Sequence, residues 1–159
     1  MPFSSREVDI LKTLRTQLQQ ITIANGYNTD AGERVYLLRD APDEESDTFP
    51  LIIVNYKIDT QNSAEVDHAQ FMTVAIWLYG RLSGIYPPDP LEPLELCGQL
   101  VRDAQNAVNL AFISNYVGEA RPLGNFPEPV RDGSRIVAAQ QRFLIPFEDQ
   151  FGVGSPFDL

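Results

Sequence analysis

IANGYNTDAGERVYLLRDAP, residues 23–42, leaves a helical pattern through Asn25-Gly26, crosses a short polar loop and enters a strand pattern that ends in acid. Gly26 can take the left-handed conformation that closes a helix. Asn28, Asp30 and Gly32 are turn formers, and residues 34–39 read as a short strand. A loop with so many turn residues and so few reactive ones marks a junction between helix and strand.

Upstream, Ser4 and Glu7 have the spacing of a capping box, and Phe3 and Val8 that of a hydrophobic staple, so a first helix is expected to begin here. Val8, Leu11, Leu14, Leu18 and Ile21 draw one apolar stripe along it, and Asn25-Gly26 is expected to end it. Downstream, DAPDEESDT (residues 40–48) carries five acids and no base, which predicts a solvated, mobile loop without an apolar anchor.

FPLIIVNYKI (residues 49–58) reads as a second strand and residues 67–79 as a third, joined through the polar DTQNSAE as a long hairpin. The third alternates His68, Gln70, Met72, Val74, Ile76 and Leu78 against Ala69, Phe71, Thr73, Ala75, Trp77 and Tyr79. Both sets turn apolar toward the end. After the proline-rich SGIYPPDPLEP, with Asp89 or Glu92 as cap, a second helix is expected over residues 91–112, its face formed by Leu96, Leu100, Val101, Ala104, Val108, Ala111 and Phe112. Residues 116–123 and 134–147 supply two more strands, with GNFPEPVRDG between them as a turn.

Strands grouped in this way, not alternating singly with helices, predict an α+β fold: a mainly antiparallel sheet of four to five strands with two helices packed on one face. Residues 1–147 read as a single domain and residues 148–159, aperiodic with two phenylalanines, as an extended C-terminal arm. Two helices leave the other sheet face bare. That face is too apolar for open water, and oligomerisation is the simple remedy.

The chain has 159 residues, 43% hydrophobic, enough for one core. No leader-like start and no apolar run of about 20 residues is visible, so a soluble, untargeted protein is expected. A formal charge of -10 repels phosphate backbones and anionic membranes, which argues against a DNA-gripping module.

The parts of an enzyme are scarce. His68 is the single histidine and Cys97 the single cysteine; a polar residue near a strand start and a small buried hydrophobe are the simpler readings. Asn28, Asp30 and Glu33 suggest half of a calcium loop, but the twelve-residue spacing and the distal acid are missing. The acids between Asp40 and Asp47 lack the burial that splits the pKa values of a catalytic pair. Neither a phosphate-binding loop nor a dinucleotide fingerprint is present. No catalytic residue, cofactor or metal is therefore assigned.

An N-terminal helix running into NGYNTDAGERVY, followed by an acidic loop and FPLIIVNY, resembles the tail terminator family of long-tailed bacteriophages. The resemblance extends to the element order: a long central hairpin, a helix after a proline-rich break and a long final strand. It implies a structural virion protein, made in the host cytoplasm, that forms a homo-oligomeric ring, typically of six subunits, on the head-proximal end of the tail tube. Such a ring stops tube growth and joins the tube to head connector and neck proteins, while DNA passes through without specific binding. Phe71, Trp77, Tyr79 and Tyr27 are the candidate interface residues. Asp40, Asp43, Glu44, Glu45 and Asp47 are the candidate lumen or mobile acidic loop. Another head-to-tail joining protein, or a cellular small-molecule-binding α+β domain, is the alternative.

Overall fold

A computed structural model of the chain describes residues 6–63, 66–84, 89–115, 121–128 and 134–148. Helix α1 (Arg6–Leu18) precedes a short strand β1 (Val35–Leu37), and the long hairpin follows as β2 (Leu51–Ser63) and β3 (Val66–Arg81). Helix α2 (Leu91–Asn115) then leads to β4 (Arg121–Glu128) and β5 (Ile136–Glu148). The strands make one sheet in the order β1-β2-β3-β5-β4. β1 lies parallel to β2, and the other three pairings are antiparallel. The class is α+β, with a mainly antiparallel sheet and both helices on one face.

The register explains which face the helices take. Ile52, Val54, Met72, Val74, Ile76, Leu78, Val137, Ala139, Phe143 and Ile145 are buried in one cluster with Ile10, Leu14 and Leu18 of α1 and Leu100, Ala104 and Val108 of α2. Each buried Leu, Ile or Phe contributes about 1.5–3 kcal/mol over leaving it exposed. At Gly80 a Cβ would stand 2.9 Å from the Leu96 side chain, so the absence of a side chain there lets α2 come down onto β3. Asp89 starts α2, its carboxylate accepting from the backbone N–H of Leu91 at 2.9 Å.

Several boundaries differ from the expectations, each for a physical reason. The apolar stripe of α1 includes Ile10 and leaves Val8 40% exposed. At roughly 100° per residue, Val8 lies about 120° around the helix from Leu14, whereas Ile10 lies about 40° away. The helix stops at Leu18, and Asn25-Gly26 instead closes a separate 3-10 turn, Ile23–Asn25, with Gly26 at φ 90°. β4 takes in Gly124, Asn125, Phe126, Pro127 and Glu128, expected as turn; on an edge strand, proline's missing N–H need not break a ladder. The hairpin tip is shorter than DTQNSAE, since β2 continues to Ser63 and β3 begins at Val66. The cap residues Phe3 and Ser4, and residues 149–159 of the arm, lie outside the described residues.

One core residue is out of keeping with its surroundings. Gln141 faces the helices between Ala139 and Phe143, is fully buried, and neither its amide nitrogen nor its oxygen has a hydrogen-bond partner. A desolvated, unpaired amide costs stability that an apolar side chain of similar size would not. Gln141→Leu is therefore expected to raise stability by about 1–3 kcal/mol, seen as a higher urea midpoint with an unchanged slope; a lower midpoint would show that the amide does have a partner in solution.

Candidate functional site

The loop that opened the sequence reading is held by a residue 75 positions away from Asn28. Asp103, on the inner side of α2, is 1% exposed. One of its oxygens accepts from the backbone N–H of Asn28 at 3.0 Å and from the Asn28 side-chain amide at 2.9 Å. The other accepts from the backbone N–H and the hydroxyl of Thr29, both at 2.8 Å. Four donors thus offset the cost of burying a carboxylate. Asp30 turns the other way and accepts from the backbone N–H of Ile23 at 2.8 Å, closing the loop on itself.

The loop then dives against the end of α1. Gly32 donates its N–H to the Ile21 carbonyl at 2.8 Å. A Cβ at Gly32 would lie 2.4 Å from the Leu18 carbonyl oxygen, so only glycine fits. Tyr27 packs against the core cluster beside Asp103. Burial, and secondarily the Asp103 carboxylate, push its phenol pKa up, so it stays protonated. Asn25, Tyr27, Asn28, Asp103, Asn106 and Leu110 line an open surface pocket of about 450 Å³ at this place. The Asp103 carboxylate there is engaged by the loop, and among the described residues no group of three His, Cys, Asp or Glu side chains is arranged to hold a metal ion.

The remaining candidates fall in two other places. Trp77 and Tyr79 lie on the face away from the helices, half-buried, with ring centroids 6.2 Å apart and planes 18° from parallel. Pairing sets Trp77 between Ile53 and Gln140, and Tyr79 between Leu51 and Ala138. Phe71 is in the same strand, opposite Asp59 and Pro146, but its side chain lies outside those the structure describes. Tyr27 is on the helix side, so the structure does not bring it to the Trp77–Tyr79 pair.

The acidic loop occupies one end of that same aromatic face, where polar contacts tether it. Arg39 stacks on Tyr36 at 4.5 Å and forms an ion pair with Asp47. Asp47 also accepts from the backbone N–H of Asp43 at 2.7 Å, and Asp43 from that of Glu45 at 2.9 Å. Arg81 stacks on Phe49 at 5.3 Å and donates to the Glu44 carbonyl at 2.6 Å. The Glu44 carboxylate accepts from Ser134 and from the backbone N–H of Arg135. Asp43, Glu44 and Asp47 thus act as turn caps and tethers, a role that charge counting could not reveal; Asp40, Asp43, Glu44 and Glu45 are exposed and Asp47 is partly buried.

Cys97 is buried, its thiol 3.8 Å from the Ala138 carbonyl oxygen. Burial pushes its pKa up, which opposes a thiolate. The His68 side chain lies outside those described. No helix among the described residues is long and apolar enough to cross a membrane. No protein-family profile matches the chain, and no curated protein matches it in sequence.

Two measurements test this geometry. Asp103→Asn presents an N–H₂ group to at least one donor pair and is expected to cost about 1–3 kcal/mol of stability. Combined with Thr29→Val in a double-mutant cycle, it should show a coupling of at least about 0.5 kcal/mol, whereas additivity would mean the clamp is not formed.

The second measurement concerns acid. The backbone N–H of Glu45, then Ser46, lowers the Asp43 pKa; the Arg39 guanidinium, then the backbone N–H of Asp43, lowers that of Asp47. A lowered folded-state pKa stabilises the loop above the unfolded aspartate value of about 3.9, and that support is lost as pH falls through the folded value. Hydrogen exchange over residues 43–47, corrected for intrinsic rates, should be unchanged from pH 7 to about 5 and accelerate below about 4. Asp43→Asn combined with Asp47→Asn should abolish the pH step; a step persisting in that double variant would assign it elsewhere.

Proposed function

We propose that this protein is a ring-forming structural component of a phage tail, capping the head-proximal end of the tail tube. The observation that carries the reading is the two-sided sheet: one face is sealed by α1 and α2, and the other carries a stacked Trp77–Tyr79 pair beside Thr73, Ala75, Ala138 and Leu144. Such a face favours contact with another protein surface. The NGYNTDAG motif supports it in a second way. Asn28 and Thr29 are engaged in docking the loop to α2 and Asp30 in closing it on Ile23, so the motif acts as a structural joint.

In this reading, subunits close a ring by heterologous contacts whose rotation sets their number. One rim complements the growing tube end. The opposite rim lacks the surface that would recruit another tube subunit and is instead shaped for the connector. The excess of acids keeps the phosphate backbone of passing DNA from adhering, with Asp40, Asp43, Glu44, Glu45 and Asp47 the candidates to line a lumen.

Purified protein added to tube subunits during polymerisation should shorten the tubes and leave each with a ring at one end in negative-stain images. Unchanged tube lengths, with the protein strictly monomeric in the presence of tubes, would overturn the proposal.

A further inference from the structure

The sheet ends differently on its two sides. β4 is blunted by Pro122 and Pro127 and by a register shift between Pro122 and Gly124, all of which discourage a further strand. The other side stays open. β1 pairs only with Ile52, Ile53 and Val54, and among the described residues no strand lies outside the rest of β2, from Asn55 to Ser63.

The main chain of that stretch has a defined orientation. The N–H of Ile52 donates to the Arg34 carbonyl, and the Val54 carbonyl accepts from the N–H of Leu38, so these residues turn their backbone groups outward. With a period of two, Tyr56, Ile58 and Thr60 do the same, and no proline or bulge interrupts them before the shift between Gln61 and Ser63. Such a row of open donors and acceptors is a template for an added strand.

NYKIDTQ, residues 55–61, is close to self-complementary about Ile58, and this selects the strand that is added. In an antiparallel pair of copies, outward backbone groups meet only when the two-fold axis passes at a residue and not between two. An axis at Tyr56 would set Ile58 against Val54, whose carbonyl Leu38 already holds. One at Lys57 brings Lys57 opposite Lys57, one at Asp59 brings Asp59 opposite Asp59, and like charges directly opposite are destabilising. An axis at Thr60 runs into the irregularity between Gln61 and Ser63. At Ile58 alone, position 57 of each copy meets position 59 of the other, lysine against aspartate, while position 56 meets position 60. Lys57 is exposed and has a partner within its own chain; the axis decides only which charge is brought beside it.

We propose that two copies of this chain pair through the free edge of β2, antiparallel about Ile58, in a dimer held by about six backbone hydrogen bonds and by reciprocal Lys57–Asp59 contacts. The contact is isologous, so it closes on two copies, unlike a ring contact, and it stands apart from tube capping. It covers an edge that would otherwise recruit strands indiscriminately. A contact this small gives a weak dimer, with a Kd on the order of tens of micromolar.

Reversal of single charges tests it by sedimentation equilibrium in the absence of tubes. The wild-type chain should show a monomer–dimer equilibrium, and Lys57→Asp and Asp59→Lys should each weaken it about tenfold or more, although one variant gains negative charge and the other loses it. An equimolar mixture of the two variants, each shown to be folded by circular dichroism and thermal unfolding, should regain the wild-type affinity, because every position 57 then meets an opposite charge at 59. A wild-type chain that stays monomeric at about ten times the expected Kd, single variants that dimerise undiminished, or a mixture no tighter than its components overturns the proposal. Ring formation is read separately, on added tubes, and its failure would leave the dimer result standing.

Discussion

A carboxylate buried on a helix, with four hydrogen bonds coming to it from one dipeptide, organises the connection between the first helix and the sheet. Asp103 takes both backbone N–H groups and both side chains of Asn28 and Thr29. Leaving such a charge unpaired costs several kcal/mol, so the loop cannot drift from α2 without a large loss. With the loop fixed, Gly32 presses against the carbonyls that end α1, and the chain emerges as β1 in register with Ile52, Ile53 and Val54. The helix layer and the sheet edge are therefore tied through one side chain.

The two sheet faces divide the remaining roles. On one side, the apolar stripes of α1 and α2 make a closed core. On the other, the connection from β1 to β2 crosses one end of the sheet, held by Arg39, Arg81 and Glu44, where Leu51 and Ile53 are fully buried. That loop is polar in composition yet fastened at several points, each partly exposed and so weak alone. The face beyond it keeps its aromatic pair.

Local periodicity made much of this legible. The alternation around Met72 and Trp77 identified the central strand and its two faces, and the three-and-four spacing identified both helices. What remained hidden came from distance along the chain. Nothing in the residues around Asn28 announces Asp103, because on a helix an aspartate reads as solvated until the loop that buries it is known. The tethers of the acids near Asp43 are hidden for the same reason: Arg81 comes from β3 and Ser134 from the segment just before β5. β4 was misplaced because glycine and proline, turn formers by local habit, are tolerated on an edge strand.

The central claim is positional, and location in the particle tests it most directly. Particles carrying an epitope inserted at the exposed Asp40–Ala41 position of the acidic loop, labelled with gold-conjugated antibody and viewed by electron microscopy, should show label confined to the junction between tail tube and head. Label spread along the tube, confined to the distal tip, or missing from particles whose tails are complete would contradict the account.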